Sequence, residues 1–337
     1  MTLVTKPFGD IITFTRGSGG GRFNSSGVYE WVGNDVPRFD HDPVTLQPLG
    51  ILIEEQRTNI IPYSDTSGGG WSFGGDRVIG AATGLPGVFA VGASLVRDAN
   101  GSTFNYYQSL TPVAGTAYTF SIFVRFADGR DIGAEFGQPG SENSPLNPFA
   151  FIANGAALTW STSTNEHVGG GLWRLSHTIT PPDTISRGWG ILIRTTHKAG
   201  LPRLFVTGYQ IEAGAFPTSY IPTAASQVTR AASEAALNTL TPWFNATQGT
   251  FVIKHSIPTG QPLITSGINS IAVSQGSGTT KVAYDAAGSY VSHNGSAFVT
   301  GPALMFDSFF KLLKSPSVTS TGWCESVSYY PVRQLVP

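Results

Sequence analysis

The chain has 337 residues, beyond the usual single-domain span of about 100–200, so two or three compact units are expected. Charged residues make up only 12%, against a norm of about 25%, and with 41 glycines and 22 prolines this is the profile of a turn-rich, all-β protein. Twenty basic against 21 acidic residues, a formal net charge of -1 and no basic block argue against a phosphate-tracking surface, and so against nucleic acid as a partner.

In chain order, the opening MTLVTKPFGDIITFTRGSGGG has no basic segment followed by an apolar run of signal length. Nowhere do about 18 apolar residues follow one another, so the expectation is a soluble chain without an ordinary export signal or membrane insertion. IITFTR (11–16) and VYEWV (28–32) read as strands, with the tract Gly19-Gly20-Gly21 between them as a loop. FDHDPVT (39–45) reads as a turn at Asp40, Asp42 and Pro43, because an Asp side chain bonds the backbone two residues on and Pro presets φ. GILIEE (50–55) follows as a strand, with Gly50 permitting a bend or close approach. Arg57 has Glu54, Glu55 and Asp40 as possible partners.

From Pro62 to about Pro222 the pattern is strand after strand: 102–110, 117–129, 149–160, 171–180, 188–195 and 202–214. In AYTFSIFVRFADG (117–129), Tyr118, Phe120, Ile122 and Val124 share one face, and Thr119, Ser121, Phe123 and Arg125 the other. With no amphipathic helix between them, these strands predict an antiparallel sandwich. TRAASEAALNTL (229–240), rich in Ala and Leu, reads as a linker or short helix. Further strand patterns from about 241 to 337 make a smaller β unit, in which KLLKSP (311–316) is a helical turn or another strand. The glycine runs at 19–21, 68–70 and 169–171 have no constant period and read as loops.

PRFDHDPVTLQPLGILIEEQRTNIIPYS (37–64) resembles a segment of bacteriophage head-spike, head-fibre and tail-fibre proteins, including the spikes of phage-like gene transfer agents. GYQIEAGAFPTSYIPTAASQVTRAA (208–232) resembles the segment that closes a jelly roll similar to carbohydrate-binding modules in those proteins. GWCESVSYYPVRQL (322–335) looks like the last strand of the lectin-like sandwich that often follows. The calcium-binding Asp and Asn pattern of such lectins is absent. The resemblance implies an attachment arm and clasp over 1–61, a jelly roll over 62–227, and a linker with a smaller lectin-like β domain over 228–337. It also implies that Arg38, Asp40, Asp42, Glu54, Glu55 and Arg57 form internal pairs anchoring the arm.

Chemistry-bearing patterns are sparse. Paired carboxylates about 5–9.5 Å apart could hydrolyse a glycosidic bond, and Asp40 with Asp42 or Glu54 with Glu55 are the pairs available. Neighbours on a regular strand face opposite ways, and Asp40 and Asp42 have an ordinary turn role, so the structural reading is preferred. A single cysteine, Cys324, excludes a disulfide framework, and the six histidines lack metal-ligand spacing. No cofactor is expected. Aromatic rings beside polar groups could form a glycan platform, since a flat ring packs on the C–H face of a sugar. Those residues are Trp71, Tyr106, Tyr107, Phe123, Trp160 and Trp189, with Asn105, Gln108 and Arg125 beside them; Trp173 is read as structural. Phe123 and Arg125 are expected to point outward.

The expectation is therefore a non-enzymatic virion-surface protein, made in the host cytoplasm. It would attach through its N-terminal arm to capsid or tail proteins, bind host cell-surface polysaccharide, and assemble as a homo-oligomer, trimer or pentamer. The alternatives are a purely structural capsid or tail decoration protein and a capsular polysaccharide depolymerase.

Overall fold

The computed structural model describes residues 12–65, 72–74, 77–81, 87–89, 91–95, 103–132, 149–152, 162–194, 204–237, 249–256, 278–285, 288–293, 296–301, 313–314 and 321–330. These are almost wholly β. The strands are β1 (Ile12–Thr15), β2 (Gly20–Phe23), β3 (Tyr29–Val32), β4 (Phe39–His41), β5 (Pro48–Glu54), β6 (Arg57–Asn59), β7 (Ser72–Gly74), β8 (Arg77–Ala81), β9 (Val91–Leu95), β10 (Thr103–Leu110), β11 (Tyr118–Phe126) and β12 (Phe149–Ile152). The second half adds β13 (Thr162–His167), β14 (Trp173–Ile179), β15 (Arg187–Arg194), β16 (Leu204–Ala213), β17 (Val228–Arg230), β18 (Glu234–Leu237), β19 (Gly249–Ser256), β20 (Gly278–Asp285), β21 (Gly288–His293), β22 (Ser296–Gly301), β23 (Leu313–Lys314) and β24 (Thr321–Tyr330). Gly87–Phe89 is a 3₁₀ turn. No helix among the described residues is long and apolar enough to cross a membrane.

All pairing among the described strands is antiparallel. A six-stranded sheet runs β13-β14-β11-β16-β9-β8, and a four-stranded one β12-β15-β10-β7. A seven-stranded sheet runs β22-β21-β20-β19-β24-β5-β4, so strands from the first 54 residues extend the sheet built by the last ninety or so. Two small sheets, β1-β18-β23 and β17-β6, tie the N-terminal segment to the region around 228–237, and a third, β2-β3, is a hairpin within that segment.

The central strand β11 organises the larger core. Tyr118, Phe120, Ile122, Val124 and Phe126 pack with Leu175 and Ile179 of β14, Val206, Tyr209 and Ile211 of β16, and Ile61 and Ile132. Leu110, at the end of β10 in the four-stranded sheet, packs against the same cluster. Burying each such side chain contributes about 1.5–3 kcal/mol, so this cluster is the main store of apolar stabilisation among the described residues.

The opposite face of β11 is also covered, which corrects the expectation for Phe123. Its ring is 2% exposed and lies in a second cluster with Tyr29, Phe89, Val168, Leu172 and Tyr220. Ring centroids of Phe89 and Phe123 are 4.4 Å apart, and those of Tyr29 and Phe89 5.2 Å. The N-terminal hairpin β2-β3 supplies Tyr29, a cover that alternation within β11 has no means to reveal. A register shift between Ser121 and Phe123 faces Gly208 of β16, whose φ of 61° suits glycine. A Cβ at Gly208 would lie 2.6 Å from Phe123 Cδ2, so glycine is what lets the ring close down.

Two other expectations are overturned. Gly20 and Gly21 are strand residues, paired with Val32 and Trp31. A Cβ at Gly20 would come within 3.0 Å of the Arg16 guanidinium, and one at Gly21 would overlap the Tyr29 ring, so the tract serves close packing within a strand. The segment from 229 holds strands, not a helix: Val228–Arg230 pairs with Arg57–Asn59, and Glu234–Leu237 lies between β1 and β23. Ala235 is fully buried and the Ser233 N–H donates to the Glu54 carbonyl (2.8 Å), so tertiary pairing outweighs the helical preference of alanine. Residues 238–240 lie outside the described part. Leu313–Lys314, in KLLKSP, is a short strand.

Candidate functional site

Among the described residues, the strongest concentration of buried polar chemistry lies where 16–59 meets 208–233. Glu54, at the end of β5, is 1% exposed and faces two guanidinium groups that are fully buried, Arg38 and Arg230. Arg38 pairs with it directly, and Arg230 Nη1 lies 3.2 Å from the same oxygen. The Ser219 N–H and hydroxyl donate to the Glu54 carboxylate at 2.7 and 2.6 Å. Arg38 also donates to Ser233 Oγ (3.0 Å), and Arg230 to the Glu55 carbonyl (2.8 Å) and Thr218 Oγ1 (3.0 Å). Thr218 in turn donates through its N–H to Glu212, 2.9 Å away, and through its hydroxyl to the same carboxylate.

Desolvation alone would raise the Glu54 pKa. Arg230 and Arg38, with the two Ser219 bonds, outweigh it and bring the carboxyl down to about 2. Burial lowers Arg16 to about 10, helped by repulsion from Arg38 and Arg230. Burial also lowers Arg230, against the pull of Glu54. A second pair sits beside the first: Arg57 pairs with Glu55, donates to the Ala213 carbonyl, and lies 4.7 Å over the Phe216 ring. Gly214 leaves room for that guanidinium, since any Cβ there would overlap it. Asn59, fully buried, donates to the carbonyls of Tyr209 (3.2 Å) and Ile221 (2.9 Å).

The two acidic turn residues have separate duties. Asp40 accepts the Phe23 N–H at 2.7 Å. Asp42 Oδ1 caps the turn by accepting the Val44 and Thr45 N–H groups at 2.8 and 2.7 Å, and the Thr45 bond is the main reason its pKa is lowered, with burial opposing. A Cβ at Gly169 would lie 2.7 Å from the Pro43 carbonyl, so this turn rests on the 168–172 loop. Asp40, Asp42, Glu54 and Glu55, weighed above as hydrolytic pairs, are all bonded to backbone or guanidinium groups.

The described members of the aromatic set lie on two different sheets. Gln108 is 6% exposed and donates to the Pro62 carbonyl at 2.7 Å, which corrects its assignment as a surface partner. Asn105, Tyr106 and Tyr107 occupy β10, and Trp189 sits opposite Gln108 on β15, both in the four-stranded sheet. Their side chains lie outside the described part, as do Trp71 and Trp160 entirely. Phe123 and Arg125 belong to β11 of the six-stranded sheet, so the set is divided between two sheets. Phe123 is interior. Arg125 is half-buried, with its guanidinium 5.7 Å from the Phe205 ring centroid. Trp173 is half-buried against the larger core, and its Nε1 donates to Asp131 Oδ2 at 3.2 Å. No group of three or more His, Cys, Asp or Glu among the described residues could hold a metal ion.

Arg16, Glu212, Ser219, Arg230 and Ser233 were not singled out from the sequence, although Glu212, Ser219 and Arg230 fall inside 208–232. The presence of Glu212 and Arg230 in a charge-poor chain was the available signal, and it names no partner across 176 residues (from 54 to 230). No family model matches the chain, and no curated protein matches it.

Proposed function

We propose that the chain is a structural component of a phage-type virion surface, a head spike, head fibre or tail fibre, that attaches to the particle and contacts host cell-surface glycan without catalysis. The observation that supports this best is the buried cluster around Glu54. The two segments that resemble phage spike and fibre proteins, 37–64 and 208–232, are joined through Arg38, Glu54, Ser219 and Arg230 into one unit. A resemblance carried by two segments that interlock is better supported than one carried by two unrelated loops.

On this reading the six- and four-stranded sheets are the two halves of a jelly roll, with the larger core between them and Leu110 packing across. The seven-stranded sheet is the lectin-like unit, completed by β4 and β5. Homo-oligomerisation as a trimer or pentamer supplies the avidity that weak sugar contacts need. The engagement of all four weighed carboxylates in structural bonds supports this reading over a depolymerase.

A second reading, a decoration protein that binds no glycan, is favoured by the burial of Phe123 and Gln108. Two measurements decide. Mass spectrometry of density-purified particles should find the chain at a multiple of the vertex or tail copy number; its absence from particles refutes both readings. Binding of the purified oligomer to host cells, lost on capsule-deficient cells without release of saccharide, supports the adhesin; no binding to either supports decoration.

A further inference from the structure

We propose that the rim formed by the 127–131 turn, His167 and Trp173 is a binding site for a neutral saccharide, an inference that rests on the glycan-contact reading above. Trp173 opens β14 and stands opposite His167 of β13 and Val124 of β11. Its indole is held twice, by the larger core on one side and by the Nε1 bond to Asp131 Oδ2 on its edge. The His167 ring meets it at 5.2 Å and 47°, so two rings form a fixed corner at the surface. A rigid, partly exposed aromatic is the part of a sugar site that a sheet interior does not supply.

The turn that brings Asp131 to the indole carries further polar groups. Asp128 and Arg130 form an exposed pair, with side chains 44% and 41% exposed, 2.8 Å between Arg130 Nε and Asp128 Oδ2. The Arg130 N–H bonds the same carboxylate at 3.1 Å, which fixes the turn, and the guanidinium lies 5.8 Å from the Phe126 ring centroid. The turn and the 169–171 loop leave open space at two glycines: a Cβ built at Gly129 or Gly170 would meet nothing within 4 Å. An aromatic rim with a guanidinium donor and carboxylate acceptors on the adjoining turn matches a pyranose, whose C–H face is apolar and whose hydroxyls both donate and accept. Asp128 and Asp131 balance Arg130 and Arg125, whose side chain lies beside Gly171, so the rim offers no surplus positive charge and a neutral sugar is favoured over a uronate or sialate.

The test is saturation-transfer NMR on the assembled full chain with neutral gluco-, galacto- and manno-configured tetrasaccharides and an oligogalacturonate of equal length. Transfer to ring protons of at least one neutral sugar is expected. Binding should weaken about tenfold or more in Arg130→Ala and Asp131→Asn, as expected for loss of a charged hydrogen bond. Trp173→Phe, which keeps apolar packing, is the third variant, and Arg130→Ala, in an exposed pair, keeps the melting temperature of the parent. Neutral-sugar binding that survives Arg130→Ala and Asp131→Asn overturns the site but leaves the glycan reading standing. Binding of the oligogalacturonate alone overturns the neutral class. No saccharide bound by the assembled protein overturns the site and the glycan reading together.

Discussion

Substituting Glu54→Gln removes the one negative charge between Arg38 and Arg230 while keeping size and shape. Breaking a buried ion pair from one side costs about 3–5 kcal/mol, because the partner charges stay buried without compensation. The lowered pKa gives an independent figure. A carboxyl whose ordinary value is 4.5, held at about 2 in the folded chain, contributes about 3 kcal/mol at neutral pH, at 1.36 kcal/mol per unit. The folded value is the depressed one, so this stabilisation is present above pH 4.5 and is lost as pH falls through about 2. Urea unfolding of the parent and Glu54→Gln at a series of pH values should show a gap of about 3–5 kcal/mol at pH 7, closing towards zero near pH 2. Other titrating carboxylates act alike in both proteins and cancel in the difference. A gap below about 1 kcal/mol at pH 7, the range of exposed ion pairs, or a gap independent of pH, would refute the reasoning.

Phe123→Ala should cost about 3–5 kcal/mol in equilibrium unfolding, since it empties the second core, and should leave cell binding of the folded protein unchanged. Loss of binding at unaltered stability would return Phe123 to the surface. Gly214→Ala should destabilise by roughly 1–3 kcal/mol, from φ of 148° and overlap with Arg57, and Arg57→Ala in the same chain should recover part of that, measured by melting temperature. Burial lowers His177 to about 4 from an ordinary 6.5. The unfolded chain therefore binds the proton first, and stability falls by up to about 3 kcal/mol as pH drops from 6.5 to 4. His177→Gln should flatten that part of the pH profile, which lies above most of the Glu54 window; an unchanged slope counts against burial as the cause.

Strand propensity and turn chemistry are local, and they were legible. The bounds of β1, β3, β11, β14 and β16 lie within three residues of the sequence patterns, because alternating apolar residues between Gly, Pro and Asp leave the backbone few other choices. Asp42 capping its own turn is equally local. What the alternation of β11 does not contain is the second layer that covers its other face. Phe123 is interior only because Gly208 opens the backbone beneath it and Tyr29, Phe89 and Tyr220 arrive from elsewhere.

The same division runs through the site. The sequence by itself determined an all-β, charge-poor chain and a charged segment at 38–57 in need of partners. Only the tertiary structure decided that Glu54 joins Arg38 to Arg230 and Ser219, that 228–230 and 234–237 are strands instead of a helix, and that β4 and β5 complete a sheet begun two hundred residues later. The reason is physical: propensity is worth tenths of a kcal/mol per residue, whereas leaving one buried guanidinium unpaired costs several, so the long-range pairing chooses among the local options.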